Sequence, residues 1–250
     1  MGLVLASMQA GWAQTVAEPG LLCRAAIRLA EAGSGLPPTL LSGIARVESG
    51  RRDPVSGRMS PWPWTINAEG KGSFFETKAE AVAYARQLRA RGVQSFDAGC
   101  LQVNLMYHPG AFASLEEAFD PVANARYAVK FLTTLREKSG SWEEASAWYH
   151  SANPEHGVPY RARVVSAMAE EARSAASFAS LPDPARMASG WSGGALGGGA
   201  MSSMPSRQGS MILLSHTGGG GVGGGVVGRG LDAYRAQPVA LVGQRLMAAR

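Results

Sequence analysis

Cysteine is scarce in this 250-residue chain: there are two, Cys23 and Cys100, and they stand far apart. No CxxC pair and no His/Cys spacing of the zinc-binding kind occurs, so neither a structural metal nor a cofactor is expected. Long apolar runs are missing too. Residues 1 to 13 carry no charge, but thirteen residues are too few to span a bilayer. No cysteine directly follows that run, which argues against a lipoprotein anchor. A basic patch interleaved with aromatic residues is also lacking, and with it the usual sign of a nucleic-acid partner.

What is present suits one good-sized domain with extensions. The composition is 46% hydrophobic, a normal share for a globular core. Residues 1 to 13 read as the apolar part of a secretory signal, with Gly11 and Ala13 before a cut at Gln14. The basic leader is missing, which suggests a truncated or misassigned start. The expectation is an exported protein, periplasmic or associated with the cell wall, with no stable membrane insertion. In that oxidising setting Cys23 and Cys100 either pair or remain two buried thiols; a bridge would stabilise by at most about 4–5 kcal/mol. Residues 176 to 250 hold 17 of the 32 glycines and cannot offset their ordering entropy by burial, so a disordered low-complexity tail is expected. Most of the net charge of +5 lies there, suited to an anionic wall polymer or simply to solubility.

Between these extensions the pattern is helical. Leu22, Ala25, Ala26 and Leu29 share one side of a helix over 21–32 that stops at Gly33. Arg51 to Pro63 is turn-rich; Trp64–Asn67 and Ser73–Phe75 then read as two short strands. Thr77 with Glu80 forms a capping box for a helix ending near Gly92. Asp120-Pro121 opens another, with Val122, Ala125, Val129, Leu132 and Leu135 inward. Ser141 and Glu144 cap the next, and Pro159 is expected to start a last one with Val164, Val165 and Met168 on its apolar stripe.

One stretch organises the rest. Leu40 to Gly50 reads as a short helix between Pro37-Pro38 and a glycine stop, and Leu41, Ile44 and Glu48 share its face. Burial and the negative end of the helix dipole would both favour a protonated Glu48, as a general acid requires near neutral pH. The plainer alternative is a stripe that ends early and leaves Glu48 solvated. Gln102 and Asn104, two apart in Gly99-Cys100-Leu101-Gln102-Val103-Asn104, either offer donors and acceptors to a sugar or satisfy backbone in a turn. Trp148, Tyr149 and His150 either face a sugar or pack as core aromatics, and Trp62 and Trp64 leave the same choice open.

In this order, Glu48-Ser49, Gly99 to Asn104 and Ala147-Trp148-Tyr149-His150-Ser151 resemble the motifs of the soluble lytic transglycosylases, relatives of goose-type lysozyme. The resemblance covers about residues 21 to 170. It implies a mainly α (α+β) fold over 21–175: a lysozyme-like helical domain with a small β-hairpin insertion and a sugar cleft between them. It also implies catalysis by Glu48, with Tyr149 orienting it or stabilising the transition state. Ser49, Gln102, Asn104, His150 and Trp64 are the expected substrate-binding residues. Two departures stand out: Cys100-Leu101 replaces the usual Leu-Met, and His150 stands where Asn is usual.

The implied substrate is the peptidoglycan glycan strand, cleaved between N-acetylmuramic acid and N-acetylglucosamine. Ordinary glycosidases need two carboxylates. Here only Asp53 and Asp97 offer a second, and both lie in turn-like sequence. A transglycosylase avoids the need, using one glutamate as acid and then as base to form a 1,6-anhydro end. A hydrolytic muramidase on the same scaffold and a non-catalytic wall-binding or assembly protein are the alternatives. A monomer is expected, with the tail free to recruit secretion or flagellar machinery.

Overall fold

The computed structural model describes residues 18–175 except Val55, so the signal-like start and the glycine-rich tail lie outside the described residues. The element order is α1 (Pro19–Glu31), α2 (Leu40–Ser49), β1 (Gly50–Arg52), β2 (Met59–Pro61), β3 (Thr65–Ala68), β4 (Lys71–Phe74), α3 (Lys78–Ala90), β5 (Phe96–Ala98), β6 (Val103–Asn104), α4 (Leu115–Ala118), α5 (Pro121–Ser139), α6 (Trp142–His150) and α7 (Pro154–Ser174). Helix makes up 57% and strand 12% of the described residues, so their architecture is mainly helical with a small antiparallel sheet. No described helix is long and apolar enough to cross a membrane.

Local chemistry sets most helix starts. Thr77 Oγ1 accepts from the Glu80 amide and Glu80 bonds back to the Thr77 amide, a complete capping box. Asp120 accepts from the Val122 and Ala123 amides ahead of Pro121, and Ser141 accepts from Glu144. The start of α2 works differently. Thr39 stands at the cap position with φ 63° and no side-chain cap bond. Glu31, at the end of α1, reaches across instead and accepts from the Leu41 amide at 3.0 Å.

The last helix departs from the sequence expectation. It starts at Pro154, capped by Asn153, and Pro159 lies inside it on the exposed side. Val164 is buried and Met168 packs on the core, but Val165 is 58% exposed because one residue turns a helix by about 100°. Leu29 of α1 is only half-buried, while Ile27 takes a core position.

The β region is larger than one hairpin. β1 and β2 pair antiparallel, and a four-stranded sheet runs β4-β3-β5-β6. The expected hairpin is β3–β4, registered Thr65 to Phe74 and Ala68 to Lys71. β5 and β6 flank the motif around Gln102 and bring it beside the hairpin, an arrangement that short-range pattern does not encode.

Two packed clusters support the site. One joins α1, α2, α5, α6 and α7 around Leu41, Ile44, Leu101, Leu132 and Tyr160. The other fills the space between the sheet and α3–α4 around Trp62, Ile66, Leu88 and Phe96. Cys23 and Cys100 form a disulfide that ties α1 to the segment between β5 and β6. A buried ion network does the same for three helices. Arg24 (α1) pairs with Glu171 (α7), and Arg46 (α2) reaches the same carboxylate at 3.2 Å. Gly43 permits the close contact of α2 with α7: a Cβ there would stand 3.1 Å from the Val164 carbonyl oxygen.

Candidate active site

The site begins at the last turn of α2. Leu41 and Ile44 are fully buried, and Glu48, on the same face, is only partly accessible at the wall of a depression. Its Oε1 accepts a 2.6 Å hydrogen bond from the Tyr160 hydroxyl of α7. Burial lifts the Glu48 carboxyl from its ordinary value to about 7; the Tyr160 bond and the nearby Arg163 charge pull the other way. Desolvation wins because a single hydroxyl donor replaces only part of the lost water.

The opposite wall is the segment joining β5 to β6. It is fastened at almost every residue. The Cys100 carbonyl accepts from Ser49 Oγ at 2.6 Å, and the Leu101 carbonyl accepts from the Tyr149 hydroxyl at 2.8 Å. The Leu101 amide donates to Asn124 Oδ1 at 2.9 Å, while Asn124 Nδ2 donates to the Ala98 and Ala118 carbonyls. Gly99 has φ 82°, and a Cβ there would stand 2.6 Å from Asn124 Nδ2, so both backbone and space demand glycine. Gln102 also adopts a left-handed conformation, φ 47°.

That strained position fixes the Gln102 side chain. Its Nε2 donates to the Thr65 and Gly99 carbonyls at 3.1 and 3.0 Å. Two carbonyl partners identify the nitrogen, and Oε1 is left as the acceptor of a pocket-lining residue. Glu48, Gln102 and Tyr149 line one depression of about 310 Å³, counting space open to solvent.

Several expected site residues have other duties. Tyr149 lines the depression, but its hydroxyl holds Leu101; the phenol on Glu48 is Tyr160. Ser49 is buried and bonds to the Cys100 carbonyl and the Trp62 amide, so it joins helix, hairpin and loop rather than facing a ligand. Asn104 lines the depression as expected, but its amide donates to Asp97 at 2.7 Å and accepts from the Met106 and Tyr107 amides, which engages it in a turn. Trp64 is 3% exposed in the cluster under the sheet and does not line the depression. Trp62 is buried there too, its Nε1 donating to the Phe75 carbonyl. Trp148 packs on the helical core with its Nε1 on Glu144. His150 stacks on Tyr160 and does not line the depression.

The sequence reading missed Tyr160, His108 and Phe131. His108 lines the depression, with Nδ1 2.8 Å from the Tyr127 hydroxyl and its ring edge-on to Phe131. Burial pushes its pKa down to about 4, so it is neutral near pH 7. Spacing alone gave Tyr160 no signal, since it lies 112 residues from Glu48. The two other carboxylates are structural. Asp53 accepts from the Ser56 amide in the β1–β2 turn, and Asp97 holds Asn104. Among the described residues that line the depression, Glu48 alone is a carboxylate. No cluster of three or more His, Cys, Asp or Glu able to hold a metal occurs among the described residues.

No family model matches the chain, and no curated protein or solved structure matches it either. The functional reading therefore rests on the motifs and on this geometry.

Proposed function

We propose that the chain is a peptidoglycan lytic transglycosylase, exported to the cell wall, in which Glu48 acts first as acid and then as base. One observation carries the reading: a single carboxyl, raised to about 7 by burial and held by a phenol, opens onto a depression that also presents the Gln102 acceptor.

The chemistry follows from those groups. Protonated Glu48 gives its proton to the bridging oxygen between N-acetylmuramic acid and N-acetylglucosamine as the C1–O bond breaks. The substrate's own acetamido oxygen stabilises the cationic carbon, as in substrate-assisted glycosidases. Glu48 is now a carboxylate, and the Tyr160 hydrogen bond stabilises that form. It takes the proton of the muramic C6 hydroxyl, and O6 bonds to C1. The glutamate ends protonated, as it began, and no water is consumed. Gln102 Oε1 suits an N-acetyl N–H, and the apolar walls at Phe131 and Val103 suit a sugar face.

Mass analysis of digested peptidoglycan tests the proposal. The wild type should release muropeptides with 1,6-anhydro ends, and Glu48→Gln should retain binding while losing most turnover. Reducing ends would assign a hydrolytic muramidase instead. Binding without turnover in the wild type would assign a wall-binding protein.

A further inference from the structure

The residue after Tyr149 lies against Tyr160, whose hydroxyl bonds to Glu48. His150 ends α6 and Tyr160 stands in the second turn of α7. Their rings are parallel within 7°, with centroids 4.7 Å apart. A tight corner brings them together. The Ser151 amide donates to the Ala147 carbonyl, Asn153 caps the new helix, and a Cβ on Gly157 would stand 2.5 Å from the Ser151 carbonyl oxygen.

We propose that His150 is a positioning residue for Tyr160: its imidazole, laid flat on the phenol, keeps the hydroxyl on Glu48 and keeps water off that face of the ring. Tyr160 is 1% exposed, whereas His150 is partly accessible, so the imidazole is the outer layer over a buried phenol. A hydroxyl 2.6 Å from a carboxylate oxygen serves it only while the ring plane is fixed, because a small rotation lengthens and bends the bond. A stacked ring restrains that rotation without competing for the hydroxyl.

The imidazole does this as a neutral group. Burial, with Arg163 and His156 nearby, pushes its pKa down to about 4, so it adds no positive charge beside Glu48 near pH 7. The other groups facing the assembly are few. Arg163 of α7 has its guanidinium carbon 5.5 Å from the Tyr160 ring centroid and favours the ionised Glu48. Tyr149 of α6 and neutral His108 stand at the depression, and the Arg161–Glu144 pair spans α7 and α6 at 3.7 Å. None of these stacks on the phenol as His150 does.

The inference rests on Glu48 being the reacting acid, but its test does not require lytic activity. The ionisation midpoint of Glu48 is read from its carboxyl infrared band, with Glu48→Gln as the blank. In the wild-type background, Tyr160→Phe should raise that midpoint by about one pH unit, because the ionised form loses a charge-assisted donor. In a His150→Ala or His150→Asn background the same substitution should shift it by about a third of that or less, since the hydroxyl is no longer held in place. His150→Phe, which restores a flat ring without nitrogens, should restore the full shift. An undiminished Tyr160→Phe shift in both ring-less backgrounds would overturn the proposal, as would failure of His150→Phe to restore it. On peptidoglycan, His150→Ala should lower kcat about tenfold with KM nearly unchanged, as expected when only transition-state stabilisation is lost. A rise in KM alone would make His150 a substrate contact and refute the positioning role. Absence of any turnover with the midpoint cycle intact would sink the proposed function and leave this inference standing.

Discussion

At the scale of single residues, the opposition between burial and hydrogen bonding at Glu48 sets the protonation on which the proposed chemistry depends. The raised carboxyl has a stability consequence as well as a catalytic one. Unfolded, Glu48 ionises near its ordinary 4.5; folded, it holds its proton to about 7. Between those values Glu48 keeps its proton only in the native state, so its own contribution to stability falls as pH rises through that window, against the rise contributed by the buried His108 and His150. The whole effect is at most about 3 kcal/mol. Glu48→Gln should remove this contribution, so the stability difference between the two proteins should change between pH 4 and pH 8, which urea melts check. Catalysis as an acid needs the proton, so activity should decline above about pH 7. Tyr160→Phe should move that alkaline limb upward while lowering the maximal rate by about 10–100-fold, since the carboxylate formed in the first step loses its donor. A pH–rate profile of the two proteins reads both effects.

At the scale of elements, the segment between β5 and β6 places Gln102 in the same depression as Glu48, and its fastenings are the vulnerable points. Asn124 is fully buried and makes three hydrogen bonds to this segment and to α4. Asn124→Ala should cost about 2–4 kcal/mol by leaving the Leu101 amide and two carbonyls short of partners. Thermal unfolding measures that cost, and a rise in KM larger than the change in kcat would show Gln102 displaced. The helices around this segment were legible in the sequence because caps are local: Thr77 with Glu80, Asp120 before Pro121, Ser141 with Glu144. The start of α7 was misread at Pro159 because Asn153-Pro154 is an equally good signal five residues earlier. The strands β5 and β6 were not legible, because three- and two-residue strands carry no period and depend on distant partners. The same limit hid Tyr160: the motifs pointed at Tyr149, and only the approach of α7 to α2 decides which phenol meets the acid.

At the scale of the whole molecule, three long-range ties hold the helical part around the site. The disulfide closes a separation of 77 residues, and the Arg24–Glu171–Arg46 network joins α1, α2 and α7. Glu171 is 5% exposed and Arg24 8%, so removing the carboxylate leaves a buried guanidinium without its counter-charge. Glu171→Ala should therefore destabilise by about 3–5 kcal/mol, measured by chemical denaturation. Charge composition gave no hint of this pair, since 24 basic and 19 acidic residues are mostly placed without pattern. The polarity of the fold was nonetheless evident: a helical unit, a small sheet, and a carboxyl on an otherwise apolar face.

In the proposed reaction Glu48 works alone and the new bond at C1 forms within the sugar, without water. Digestion of peptidoglycan in ¹⁸O-labelled water tests it most directly. Released muropeptides should carry no ¹⁸O and weigh one water less than hydrolytic products, with none formed by Glu48→Gln. Incorporation of one ¹⁸O at the muramic C1, or undiminished release by Glu48→Gln, would contradict it.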